Sequence, residues 1–194
     1  MMRVIVSPAV LPPAALDALK QWLGITIATD DAQLSDLLAT ALEVCADFTG
    51  LLPLSCGVEE TLPLPCEPLM RGEDLAVPQP LRLSSQPVQQ VTGVAALLPD
   101  GTRQPLDASA YEVRLEADGS CHIGFTANLG QTRAVVSLTA GLAPDWDHLP
   151  QPLRHGVLRL AAHQYRQRET AGADALPPAS VTALWRPWRR LRLA

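Results

Sequence analysis

The side chains best suited to chemistry gather toward the C-terminal end of this 194-residue chain. Asp145-Trp146-Asp147-His148 sets two carboxylates beside an imidazole, a group that can ligate a metal or pair an acid with a base. It lies in a proline-flanked loop leading into a helix, however, where Asp and His ordinarily cap or face water. Cys45, Cys56, Cys66 and Cys121 form no CxxC pair and have no His at zinc-finger spacing. They read as small apolar residues, with a metal site of Cys56, Cys66, Cys121 and His122 as the chemical alternative. Gly93, Gly101, Gly119 and Gly124 are scattered one per turn or strand, so no phosphate-cradling loop forms, and neither a nucleophile elbow nor HExxH occurs. No catalytic, cofactor-binding or metal-binding residue is assigned, and no cofactor is expected.

Charge is distributed more tellingly. From Pro150 to Ala194, eight Arg stand against one Glu and one Asp, a balance of +6. Met1 to Leu149 holds seven Lys/Arg against eighteen Asp/Glu, a balance of −11, so the net −5 hides an acidic body with a basic end. Such asymmetry points to a partner surface, steered onto something acidic. Two sets of residues carry it. His155, Arg159, His163 and Arg166 fall on one contiguous helical stripe, either solvated or a contact with another subunit, a partner protein or nucleic acid. The tail holds Leu184, Trp185, Arg186, Trp188, Arg189, Arg190, Leu191, Arg192 and Leu193. Two exposed Trp would leave large apolar area in water, and Trp and Arg are enriched at binding hot spots. The tail could dock in an acidic, apolar-lined groove, lie on an anionic membrane, track phosphates, or fold back on the protein's own acidic body.

The elements that must position these residues fall into three zones. Pro12-Pro13 opens a short helix with Leu16, Leu19, Trp22 and Leu23 at helical spacing, stopped by Gly24. Thr29-Asp30-Asp31 offers an N-cap, with Gln33 completing a partial capping box. Leu34, Leu37, Leu38, Ala41, Cys45 and Phe48 then mark a long amphipathic helix ending near Gly50. The period changes to two in the middle zone, with strands at Val88–Val94, Tyr111–Leu115, Cys121–Phe125 and Arg133–Thr139. Asp118-Gly119 turns a hairpin there, and Pro99–Thr102 makes another turn. The Pro-dense stretch from Leu62 to Pro87 reads as extended loop. After Pro150 and Pro152, Leu153, Val157, Leu158, Leu160, Ala161 and Tyr165 form the apolar side of a helix reaching about Thr170. Ala171–Asp174 breaks it, and Pro177-Pro178 opens a last short helix with Val181, Leu184 and Trp185.

The expected class is α+β: about four helices from the N- and C-terminal zones in a bundle (1–60 and 141–180), an inserted antiparallel β-rich subdomain (61–140), and an extended C-terminal arm (181–194). The N-terminal apolar run is too short for a signal peptide, and no stretch approaches a membrane span, so a reducing cytoplasm is the expected setting.

The order of elements also resembles a known family. Leu19-Lys20-Gln21-Trp22-Leu23 leads to Asp30-Asp31-Ala32-Gln33-Leu34 and a long Leu/Ala helix. The β-rich middle ends in Thr139-Ala140-Gly141-Leu142-Ala143-Pro144. Leu149-Pro150-Gln151-Pro152-Leu153-Arg154-His155 then opens a helix closing in Tyr165-Arg166-Gln167-Arg168-Glu169. This resembles the head–tail connector, or adaptor, proteins of long-tailed phages and gene transfer agents, over nearly the whole chain. The resemblance implies an interaction protein, not an enzyme. It implies a homo-oligomeric ring, usually a dodecamer, between the portal and a stopper or tail-side protein. The C-terminal segment would reach the portal, the His155/Arg159/His163/Arg166 stripe would meet a neighbouring subunit, and DNA would pass through the channel without sequence-specific binding. The implied location is the particle's head–tail interface, assembled in the bacterial host cytoplasm, with no membrane partner. A membrane-docked protein and a small metal-dependent enzyme are the competing readings.

Overall fold

A computed structural model of the protein describes residues 2–64, 80–126, 132–167 and 177–190. The fold is α+β, and its contacts divide the chain into a unit of Met1–Pro8 with Cys56–Gly141 and a unit of Ala9–Ser55 with Leu142–Ala194.

The second unit is helical. Helix α1 (Pro13–Leu23) begins with proline at its first turn, where a missing N–H costs nothing. It ends at Gly24, whose φ of +74° is a left-handed conformation that suits glycine, with the Gly24 and Ile25 amides donating back to Gln21 and Lys20 carbonyls. Helix α2 (Asp31–Thr49) also ends at a left-handed glycine, Gly50, whose amide donates to the Ala46 carbonyl. Asp30 sits at the N-cap without a side-chain capping bond, so its half of the expected capping box is not made. Instead its carboxylate accepts from the Tyr165 hydroxyl, while Lys20 Nζ reaches Asp31 Oδ1 at 2.6 Å. These two contacts tie the start of α2 to α3 (Gln151–Gln167) and to α1. A short helix α4 (Ala179–Trp185) and a 3-10 turn (Arg186–Trp188) complete the unit. Leu19, Leu34, Leu38, Ala41, Cys45, Leu153, Val157, Leu160, Val181 and Trp185 fill its core.

The first unit is built on two antiparallel sheets. One has five strands in the order β1-β2-β8-β4-β5: β1 (Met2–Ser7), β2 (Cys56–Pro63), β8 (Arg133–Ala140), β4 (Val88–Leu97) and β5 (Arg103–Pro105). The other has the order β3-β7-β6: β3 (Leu81–Arg82), β7 (Cys121–Phe125) and β6 (Tyr111–Leu115). The β6–β7 hairpin pairs Val113 with Ile123 and turns at Gly119, whose φ is +79°. Cys56, Val58, Glu60 and Leu62 alternate inward along β2, so one carboxyl group occupies an inward-facing core position. Its Oε1 and Oε2 accept the backbone N–H groups of Ser85 (2.5 Å) and Ser84 (2.8 Å).

Two expected boundaries change. Met2–Ser7 and Cys56–Glu60, assigned to the helical bundle, are sheet strands. Leu62-Pro63, assigned to a loop, ends β2. Most of the remaining proline-dense loop, together with Cys66, Arg168-Glu169 and the Ala171–Asp174 break, lies outside the described residues.

Candidate functional site

The C-terminal segment departs most from expectation. Up to Arg190 it is not an extended arm. Trp185 has no solvent exposure; its Nε1 donates to the Leu153 carbonyl at 3.4 Å, and its ring lies 5.9 Å from that of Phe48. Gly156 makes the slot: a Cβ there would stand 2.8 Å from Trp185 Cε2 and 2.9 Å from Cδ1. Leu184 and Trp188 are partly buried against the same core. The Arg190 amide donates to the Thr49 carbonyl at 2.9 Å, and the Arg189 guanidinium lies 5.5 Å from the centroid of Phe48. The exposed apolar area that made two tryptophans look like a docking element is therefore absent at Trp185, because the indole is core. Arg186 and Arg189 do face solvent, and Leu191, Arg192 and Leu193 lie outside the described residues.

The α3 stripe faces solvent only in part, and a residue of another helix joins it. Arg166 is exposed, and His155, Arg159 and His163 are half-buried. Trp22 of α1 lies over the N-terminal half of the stripe. Its ring meets His155 edge-on at 5.2 Å, and the Arg159 guanidinium sits 5.9 Å from the Trp22 centroid, a cation–π contact. Trp22 still keeps 42% of its surface in water. Spacing within one helix could not reveal this residue, because it arrives from another helix. α3 contains three Arg and two His but no Asp or Glu. α2 is its converse: it holds Asp31, Asp36, Glu43 and Asp47 and no Lys or Arg. Asp36, Glu43 and Asp47 are exposed, and their spacing of seven and four puts them on one face.

The Asp145–His148 loop is a local capping structure. Asp145 Oδ1 accepts the Asp147 and His148 amides and lies 2.8 Å from His148 Nδ1, while Trp146 is buried. The His148 bond holds the Asp145 carboxyl below its ordinary range, and the same bond raises the His148 imidazole. Both groups are exposed, so the effect is a titration signature. An NMR titration should place the His148 midpoint above the usual imidazole value, and Asp145→Asn should bring it back down. The raised imidazole favours the fold below its unfolded pKa and loses that effect as pH rises through the folded value. Asp145 favours it above the unfolded carboxyl pKa and loses that effect as pH falls through the lowered one.

Burial pushes the Cys45 thiol up to about 12 and the Cys121 thiol up to about 11, and it also raises Cys56. Thiolate is the reactive form, so all three should stay unalkylated by iodoacetamide in native protein and react once it is unfolded. Peptide mapping by mass spectrometry reads this directly. Among the described residues, no three His, Cys, Asp or Glu side chains are grouped to hold a metal.

No protein-family model and no curated protein sequence matches this chain. Solved structures do. Over 100% of this chain and 98% of the other, it is similar to a chain in the virion of a native gene transfer agent particle, with TM-score 0.72 and 25% identity. A chain in the neck of the native particle, computed with C12 symmetry, matches over the same spans with TM-score 0.71 and 25% identity. A chain in the neck of the empty particle, computed with C6 symmetry, matches at 0.71 and 23%. Over its full length the chain therefore has the fold of components of a gene transfer agent particle, including its neck.

Proposed function

We propose that this protein is a structural component of the neck of a gene transfer agent or phage-like particle, an adaptor that forms a ring between portal and tail and performs no catalysis. The likeness to neck chains, over 100% of this chain and 98% of theirs, supports the reading. Those necks were computed with cyclic symmetry, which requires each subunit to offer two different surfaces to its two neighbours. The α3 face of His155, Arg159, His163 and Arg166 serves as one of them. Arg186, Trp188, Arg189, Arg190 and the Leu191–Leu193 end form the portal-facing surface, while Trp185 and Leu184 are reassigned to the protein's own core. The acidic body suits a wall past which DNA moves, because it gives phosphates nothing to grip.

The buried Trp185 indole removes one of the two aromatic anchors on which a membrane-docked reading depends. Among the described residues, no helix is long and apolar enough to cross a membrane.

Deleting the protein from the strain that encodes it tests the proposal. Electron microscopy should then show filled heads without tails, and heads that remain fully tailed would overturn it. Arg186→Glu with Arg189→Glu should reduce portal binding while leaving the fold's circular dichroism unchanged.

A further inference from the structure

The helical unit presents two faces of opposite sign on different helices, which a ring subunit can use against two different neighbours. We infer that the Trp22-centred basic face of α3 binds the acidic face of α2 on an adjacent copy of this same chain. This rests on the ring reading above and names both halves of its subunit contact. The separation of charge is complete within each helix: α3 has no acidic residue and α2 no Lys or Arg. On the basic side Arg159 and Arg166 supply the stripe's guanidinium groups, and His155 and Arg159 contact the half-exposed Trp22 ring. A rigid indole beside guanidinium groups is the composition of an interface centre. On the acidic side Asp36, Glu43 and Asp47 run along about three turns of α2, with the small residues Ala39 and Thr40 exposed among them.

A helix face with charges of only one sign is not needed for solubility, since mixed signs serve that purpose. Uniform sign on each of two faces selects a partner of the other sign and rejects a like one. Because the two faces differ, their contact is head-to-tail. Copies joined this way close into a ring when the rotation allows, whereas a two-fold dimer would bring together the same patch from both copies. A second copy is the occupant the charge pattern fits, since each copy supplies both halves.

The test uses charge reversal in a strain lacking its own copy of the gene, with tailed particles as the readout. One variant carries Arg159→Glu and Arg166→Glu, and the other carries Asp36→Lys, Glu43→Lys and Asp47→Lys. Purified samples of each are first checked for native circular dichroism and thermal unfolding. Each variant alone juxtaposes like charges at every contact, and tailed particles should fall by about tenfold or more. Expressed together, the two variants meet acid against base at every contact of an alternating ring, which closes only with an even number of subunits. The neck structures' C12 and C6 symmetries are both even. Co-expression should therefore restore tailing, and so should one chain carrying all five reversals.

Three results would overturn the inference while leaving the ring reading intact. They are wild-type tailing by both folded variants, a defect from reversing only one of the two faces (which would assign that face to a different protein), and failure of the pair to rescue. If strains lacking the gene still make tailed particles, the ring reading itself has failed.

Discussion

Replacing Trp185 with Ala should lower the unfolding free energy by about 3–5 kcal/mol, the usual cost of truncating a fully buried aromatic. Against a total of roughly 5–15 kcal/mol for a typical domain, this is among the largest effects any single substitution can have here. A tryptophan on a solvated arm would behave differently, with changes within about 0.5 kcal/mol. Urea unfolding followed by far-UV circular dichroism separates the two cases. Gly156→Ala supplies an independent check on the slot. Helix propensity alone would favour Ala by about 1 kcal/mol. The added methyl, however, would sit 2.8 Å from Trp185 Cε2, so the indole must move, and overpacking of this kind costs about 1–3 kcal/mol. The clash should win, and the variant should be destabilised. A stabilised Gly156→Ala would mean that Trp185 does not occupy this slot.

The same packing changes how the C-terminal end must be dissected. Cutting the chain after Pro178 removes Val181 and Trp185, both fully buried, along with the Arg cluster. Loss of tails from that truncation would therefore report an unfolded helical unit as readily as a lost portal contact. A cut after Arg190, or reversal of the exposed Arg186 and Arg189, leaves the indole seated and isolates the partner surface.

Elements whose signals are local were legible in the residues. α1 and α2 followed from apolar spacing closed by Gly24 and Gly50, and the β6–β7 hairpin from two alternating runs around Asp118-Gly119. What escaped depended on distant chain. Met2–Ser7 is a strand because it pairs with Cys56–Pro63, with Val4 opposite Glu59. Its own run of Val4, Ile5 and Val6 is exposed and does not alternate, so nothing local announces a sheet edge. The buried Trp185 depends on a glycine one helix earlier. The available signal was Gly156 itself, since glycine inside a helix is unfavourable unless something approaches closely. For the candidate surface, the α3 stripe followed from spacing, whereas Trp22 entered it only through the packing of α1 on α3. The charge separation between α2 and α3 was present in the residues too. It became a surface only once those helices were folded with their apolar faces inward.

Glu60 is the other residue whose removal should be felt strongly. Alternation along β2 predicts an apolar side chain between Val58 and Leu62, yet a carboxyl group stands there with no solvent exposure. It is tolerated because both oxygens are used, one on the Ser84 amide and one on the Ser85 amide, fixing the segment that leads into β4. Glu60→Ala strands two backbone donors, at about 1–3 kcal/mol each where they remain buried, so a loss of about 3 kcal/mol is expected. Glu60→Leu tests which force governs the position. Burying a leucine side chain contributes about 1.5–3 kcal/mol, but it offers neither amide an acceptor. The two lost hydrogen bonds should outweigh or at least cancel that gain. Glu60→Gln keeps the shape and one acceptor oxygen, so it should fall between the parent and Ala. Amide hydrogen exchange at Ser84 and Ser85 distinguishes this account from a general loss of packing. Both amides should lose protection in the Ala and Leu variants, and only the one facing the side-chain NH2 group in the Gln variant. A Glu60→Leu protein more stable than the parent, with Ser84 and Ser85 still protected, would show that the segment is held by its apolar neighbours and not by the carboxyl group.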